Sequence, residues 1–244
     1  MGIDFRIVIP ARFASTRLPE KPLRLIHHKP MIQWVYEAAM RSDASDVIVA
    51  TDHQAIVDAV LGFGGQACMT ADHHQSGSDR ILEVAEIYQW RDETIVVNLQ
   101  GDEPLMPAVN MTQVARNLES SGCVMATLHK TIDSAEADDP NQVKLVHDRN
   151  GQALYFSRSK IPFDRNGGKQ LYYGHIGIYA YRVGFLKQFN QLPVCELEDT
   201  EKLEQLRALW NGYRIHTEAA AELPGPGIDT EADLLEVTEL LATS

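Results

Sequence analysis

The chain has 244 residues, 44% of them hydrophobic, which suffices for one large domain or one domain carrying a sizeable insertion. Its 34 acidic residues outnumber 22 basic ones, and a formal charge of −12 repels nucleic acid and anionic lipid, so a polyanionic ligand needs a local cluster of Arg, Lys and metal. No apolar run reaches the roughly 18 residues of a membrane span and no secretory leader is expected; Cys68, Cys123 and Cys195 are too scattered for a disulfide framework or zinc site, as suits a reducing cytoplasm.

Residues 6–10 (RIVIP) predict a short apolar strand followed by an irregular loop. From Pro30, the spacing of Met31, Trp34, Val35, Ala38 and Ala39 predicts a helix, with proline where a first turn tolerates it. Residues 46–51 (DVIVAT) predict a second strand, and residues 54–63 a second helix closed by Gly64-Gly65. Residues 79–88 read as helix and 94–99 (TIVVNL) as a third, buried strand. Alternating strands and helices with near-continuous apolar strands imply an α/β fold, its mostly parallel sheet covered on both faces in three layers.

The rhythm changes after about Met106. Residues 124–128, 143–146, 153–157 and 174–181 read as strands joined by Asp/Asn/Gly-rich loops. Residues 198–210 read as one helix with Leu203, Leu206 and Trp210 inside, and 230–241 as a closing amphipathic helix. The expectation is a single domain, residues 1–244. Its core is about 1–106 and 200–244, and a mixed-sheet insertion lobe spans about 107–199.

Ligands of open α/β sheets bind at the carboxyl ends of the strands, and the unusual polar loops follow three predicted strands. The first, residues 10–21 (PARFASTRLPEK), places Arg12, Arg17 and Lys21 among small residues whose backbone N–H groups can cradle phosphate; a solvated basic loop has the same composition. Neither a Walker loop nor a dinucleotide fingerprint is present. Thr51-Asp52 forms the second. The third, Gln100-Gly-Asp-Glu-Pro104, brings carboxylates out of a buried strand, a costly arrangement without a cation. Asp102 suits magnesium, which prefers one or two carboxylates plus phosphate oxygens and water. Asp229, in a Pro/Gly-shaped turn, is its candidate partner, or else an N-cap of the last helix. In residues 72–80 (DHHQSGSDR), Ser76 and Ser78 offer hydroxyls for a polar base or sugar edge, whereas adjacent His73 and His74 lack a third ligand at zinc spacing.

The stretches IPARFASTRLPEKPL, VATDH, DHHQSGSDR, VNLQGDEP, ALYFSRSKIP, HIGIYAYR, EKLEQLRAL and PGIDT run in order over nearly the whole chain. Together they resemble the 3-deoxy-manno-octulosonate cytidylyltransferase (CMP-Kdo synthetase) family. The resemblance implies a Rossmann-like nucleotidyltransferase fold with a dimerisation lobe. It also implies transfer of CMP from CTP to the anomeric hydroxyl of Kdo, a cytoplasmic homodimer, and a role in lipopolysaccharide biosynthesis. By motif match, Arg12, Arg17 and Lys21 would hold the triphosphate and Asp102 and Asp229 the Mg²⁺, making Arg12, Lys21, Asp102 and Asp229 the catalytic set. Ser76 and Gln100 would lie near the cytidine and Arg80 near the reacting groups. Arg158, His175, Tyr179, Glu204 and Gln205 look like the sugar-acid pocket. Arg158 can hold a carboxylate bidentately; His175 alone reads equally as a core histidine, and Glu204 and Gln205 as a solvated helix flank.

Three positions depart from the family's usual pattern: Ser78 for Thr, Pro226 for Thr, and Gly174 for Arg before the histidine. They bear on turn geometry and sugar binding, not on the reaction class. Other readings are the same chemistry on 8-amino-Kdo or a sialic acid, and a non-catalytic CTP-binding protein.

Overall fold

The structure is a computed structural model, which describes residues 2–14, 17–74, 76–165, 167 and 171–242. Ser15 and Thr16 of the first loop, and Gln75, lie outside the described residues. Strand β1 (Phe5–Ala11) pairs in parallel with β4 (Asp46–Thr51) on one side and β6 (Ile95–Asn98) on the other, and β4 pairs with the short β5 (Ala67–Met69). Beyond β6 comes β10 (Tyr172–Arg182), antiparallel to both neighbours, then β7 (Met125–Ile132) and β11 (Ile215–Ala219). The order is β11-β7-β10-β6-β1-β4-β5, mostly parallel as its apolar strands predict. A hairpin of β8 (Lys144–His147) and β9 (Ala153–Ser157) pairs onto β10, and β2 (Leu25–Ile26) with β3 (Lys29–Pro30) makes a separate two-stranded sheet.

Strand alternation divides the core into two layers. Phe5, Ile7 and Ile9 of β1 face helices α1 (Met31–Met40), α2 (Gln54–Gly62) and α4 (Ala108–Ser121) through Val35, Ile56 and Val114. Val8, between them, points to the opposite layer, where α3 (Gly77–Ile87), α6 (Val183–Phe189) and α8 (Leu206–Trp210) contribute Val84, Leu186 and Leu206. A smaller cluster joins Leu18 of the first loop and Ile26 to Ile228, Leu234 and Val237, fixing α9 (Glu231–Ala242) against the chain's beginning.

The structure differs from the pattern-based expectations most in three respects, besides the short β5 and β11. The fourteen-residue α4 has no counterpart in them, because its buried face carries Asn110, Thr112 and Asn117 beside Met111, Val114 and Leu118, which blurs the apolar period. Asn110 is there for bonding: its amide donates to Glu222 O at 2.8 Å and its Oδ1 accepts from Glu222 N at 3.1 Å. Residues 107–199 also supply β7 and β10 to the main sheet and the short α5 (Ser134–Asp138), and the β8–β9 hairpin branches from β10 within that same sheet.

Third, the expected helix over 198–210 is two short helices, α7 (Glu196–Glu201) and α8, separated at Lys202, whose φ of 52° is left-handed. Glu198 and Arg207 form a buried bidentate pair at 2.5 and 2.7 Å. A straight helix would set residues nine apart about 13 Å along its axis, so the break is what lets them meet. Glu204 and Gln205 therefore sit in the turn between helices rather than on a helix flank.

Candidate active site

Neighbouring strands β6, β1 and β4 end side by side, so the loops that follow them open onto one edge of the sheet. A cleft of about 430 Å³ lies there, lined among others by Arg12, Arg17, Lys21, Ser76, Arg80, Gln100, Asp102 and Asp229. All eight residues assigned to nucleotide and metal thus line one cleft. Glycine permits the crowding: a Cβ on Gly101 would lie 2.8 Å from Pro10 O, so the loop after β6 passes against the end of β1 only without a side chain. The closing turn is stitched on by Ile228 N, which donates to Asp102 O at 2.9 Å.

Electrostatics organise the floor of the cleft. Lys21 Nζ donates to Asp102 Oδ2 at 2.6 Å and to Asp229 Oδ1 at 2.9 Å, and Arg17 pairs with Asp229 at 3.0 Å. Burial alone would lower the Lys21 pKa; the charges and hydrogen bonds of Asp102 and Asp229 outweigh it and hold the ammonium above its ordinary value. The side chain of Asp229 is thus turned to the cleft. The first turn of α9 is served instead by Asp233, which accepts from Asp229 N and Thr230 N, and by Thr230 Oγ1, which accepts from Asp233 N. Among the described residues no group of three or more His, Cys, Asp or Glu is placed to hold a metal ion.

The opposite wall is the N-terminus of α3. Ser76 caps it through a reciprocal box with Asp79, and Ser76 and Gly77 line the cleft, where the exposed N–H groups and dipole of a helix favour an anion. Arg80, one turn on, is 1% exposed and bonded to Asp52 Oδ2 at 2.8 Å and to Thr70.

None of the sugar-acid candidates lines that cleft; His175 packs on Tyr179, whose hydroxyl feels the charge of Glu204, and Glu204 reaches the cleft wall through Ser78 and Ser76. His175 reaches Thr127 Oγ1 at 3.0 Å and packs against Phe156 and Tyr179; burial pushes its pKa down to about 3. Burial raises the Tyr179 hydroxyl, helped by the charge of Glu204. Burial also raises Glu204, although Ser78 donates to its Oε1 at 2.6 Å. Gln205 is 4% exposed with its Nε2 buried and unpartnered. Arg158 lies on the backbone, its Nε donating to Glu201 O at 2.8 Å and Nη1 to Pro140 O at 3.1 Å. Gly174 leaves no room for a side chain: a Cβ would meet Ile132 at 2.8 Å and Gln142 Nε2 at 2.9 Å. Gln142 fills that space and donates to Val143 O and His175 O.

Two carboxylates outside the predicted set do not line the cleft but bond or adjoin residues that do. Asp52, at the end of β4, binds Arg80; its place directly after a buried strand was the available signal. Glu103 follows Asp102, and burial, then the Asp102 charge, pushes its carboxyl up to about 8. It is therefore protonated near neutral pH and adds no third negative charge.

An α/β sheet whose strand ends present cations, a helix N-terminus and paired carboxylates to one cleft defines a nucleotidyltransferase-type site. The family model for cytidylyltransferases matches residues 6–215. A 3-deoxy-manno-octulosonate cytidylyltransferase of Tolumonas auensis is 51% identical, with 98% of this chain and 97% of that protein covered. The enzyme of that name from Haemophilus influenzae is 49% identical over 99% of this chain and all of its own. A solved structure of CMP:2-keto-3-deoxy-manno-octonic acid synthetase complexed with CTP superposes with a TM-score of 0.93 at 45% identity, covering 98% of each chain. A cytidylyltransferase from Leptospira borgpetersenii, 14% identical with a TM-score of 0.64 over all of this chain and 88% of its own, shares the fold. The chain belongs to the cytidylyltransferase family and, within it, to the 3-deoxy-manno-octulosonate cytidylyltransferases.

Proposed function

We propose that the chain transfers CMP from CTP to the anomeric hydroxyl of Kdo, releasing pyrophosphate and giving CMP-Kdo for lipopolysaccharide biosynthesis. The observation that carries this reading is the single cleft holding Arg12, Arg17, Lys21, Ser76, Arg80, Gln100, Asp102 and Asp229, in a chain alike end to end to relatives of that name. Arg12, Arg17 and Lys21 bind the triphosphate, and the N-terminus of α3 adds backbone donors. Gln100 and Ser76 face the cytidine, and Arg80 the reacting phosphate. Arg158 takes the acid's carboxylate by exchanging its two carbonyl partners for a fork of two charged bonds. Tyr179, His175, Glu204 and Gln205 orient its hydroxyls.

Asp102 and Asp229 fit magnesium: their oxygens already converge on one cation, the Lys21 ammonium, and hard carboxylate oxygens are what that ion takes. With only two protein carboxylates, phosphate oxygens and water complete such a set. Bound there, Mg²⁺ would offset charge on the triphosphate and lower the acceptor hydroxyl's pKa. The protein's own part in the in-line displacement is positioning and charge, and Lys21 and the arginines need no dedicated base beside them.

The 107–199 segment serves in this reading as the sugar-binding and homodimerisation lobe. In support, large apolar side chains there face solvent, with Leu154 62%, Phe163 87% and Leu171 59% exposed. Three free, buried cysteines suit a cytoplasmic setting, and no described helix is long and apolar enough to cross a membrane. The test is pyrophosphate release with CTP, Mg²⁺ and a panel of Kdo, 8-amino-Kdo and N-acetylneuraminate. Release with Kdo alone is expected. Release with a different acid only would reassign the acceptor, and CTP binding without release would leave a nucleotide-binding protein.

A further inference from the structure

Asp52 does not line the cleft, yet both of its oxygens are committed to groups that do or that border it. Oδ2 accepts from Arg80 Nη2 at 2.8 Å, and Oδ1 accepts from the backbone N–H of Phe13 at 3.4 Å. Arg80 belongs to α3, on one wall; Phe13 lies in the loop after β1, between cleft-lining Arg12 and Ala14, on the other. The Phe13 ring stacks on His53 with centroids 3.6 Å apart and planes 10° off parallel, and His53 itself caps α2. One carboxylate at the end of β4 therefore clasps the two walls together.

The Arg80 guanidinium is 1% exposed, and a cation so deeply buried keeps whatever orientation its bonded partners impose. Those partners are Asp52, which is charged, and the Thr70 hydroxyl, which is not. Asp52 is 15% exposed and stands behind the arginine rather than in the cleft, so it neutralises Arg80 without confronting an incoming polyanion. Thr51 and Asp52 themselves are anchored, since the strand they end is buried through Thr51 and pairs residue for residue with β1 up to Ala11. The strand that fixes Asp52 thus also fixes the start of the first loop.

We propose that Asp52 is a positioning residue of the nucleotide site. It acts through Arg80 and through the Phe13 backbone, holding the guanidinium and the phosphate-cradling loop at the mutual distance that a nucleoside triphosphate requires. The proposal rests on the reading of the cleft as a triphosphate site. A misplacement of about 1 Å at a positioned group costs up to about a hundredfold, and that sets the expected scale.

The experiment is a double-mutant cycle on the full-length chain with Asp52→Asn and Arg80→Ala, read by titration with CTP and, separately, with inorganic tripolyphosphate. Asp52→Asn keeps shape and should weaken CTP binding by about tenfold to a hundredfold while its melting temperature stays close to the parent's. On the Arg80→Ala background the same substitution should weaken it much less, because most of its effect travels through that arginine. Wild-type affinity in Asp52→Asn, or full additivity of the two losses, overturns the proposal; so does a loss of affinity that only tracks a loss of melting temperature. A parent chain that takes tripolyphosphate but not CTP would instead sink the cytidylyl reading, and the cycle would then be read with tripolyphosphate. A parent that takes neither sinks both.

Discussion

Ser78, wholly buried, donates its hydroxyl hydrogen to Glu204 Oε1 at 2.6 Å, and its own oxygen lies 2.8 Å from Ser76 Oγ. This short path links the cleft to the residues around Tyr179 proposed for the acidic sugar. Replacing Ser78 by Ala removes one donor from a half-buried carboxyl that Ser76 and Arg207 also face, and costs about 1 kcal/mol in urea unfolding. The same variant should raise the KM for the acidic sugar more than that for CTP. Equal changes in both would mean that the path is structural only.

Asp102→Asn and Asp229→Asn each remove half of the paired carboxylate set. Pyrophosphate release should fall by about a hundredfold or more, the scale on which loss of one charge-stabilising group acts, with far-UV circular dichroism unchanged. Mn²⁺ titration in the presence of CTP should weaken in parallel. An active Asp102→Asn enzyme with the parent's metal dependence would remove that residue from the ligand set.

The Glu198–Arg207 pair, about one-tenth exposed on either side, holds the turn that presents Glu204 and Gln205. Arg207→Ala should destabilise the protein by about 3–5 kcal/mol, because it strands a buried charge. Replacing both partners by apolar residues should cost much less than the two single changes summed, a difference that urea titration of all three variants measures.

Stability should fall in mild acid. His129, 4% exposed, hydrogen-bonds Thr217 and packs on His147 and Tyr173, with His216 and Glu218 as its other charged neighbours; burial, then His147, brings its pKa down to about 4. His175 is lowered to about 3. Both are neutral when folded and near 6.5 when unfolded, so the unfolded chain takes up protons first as pH drops. The loss begins below about pH 6.5, saturates near pH 4 for His129 and near pH 3 for His175, and amounts to at most about 1.4 kcal/mol per pH unit for each. Urea midpoints at pH 7.5, 5.5 and 4.5 check it, and His129→Gln should flatten the slope. An unchanged slope in that variant would place the acid sensitivity elsewhere.

The first half of the fold was legible because β1, β4 and β6 are apolar and short, and the cleft because polar loops follow all three. Residues 6–10, 46–51 and 94–99 were read within a residue or so of the strands found. The short β5 and β11 escaped for want of length and pattern, and α4 because Asn110, Thr112 and Asn117 interrupt the apolar residues of its inner face. Asp102 and Asp229 could be paired from their turns. The clasp by Asp52 and the left-handed break at Lys202 depend on partners 28 and more residues away or on a buried ion pair, which local pattern does not carry.

Lys21 and Asp229 are hydrogen-bonded across 208 positions of sequence. A nascent chain, folding from its N-terminus as it is made, can assemble β1, β4 and β6, and with them Asp102, well before Asp229 joins Lys21 from beyond β11. A chain ending between β11 and Asp229 would keep the strands and leave Lys21 with Asp102 as its one carboxylate partner of the two. The electrostatics of the cleft are in this way completed later than the sheet that shapes it.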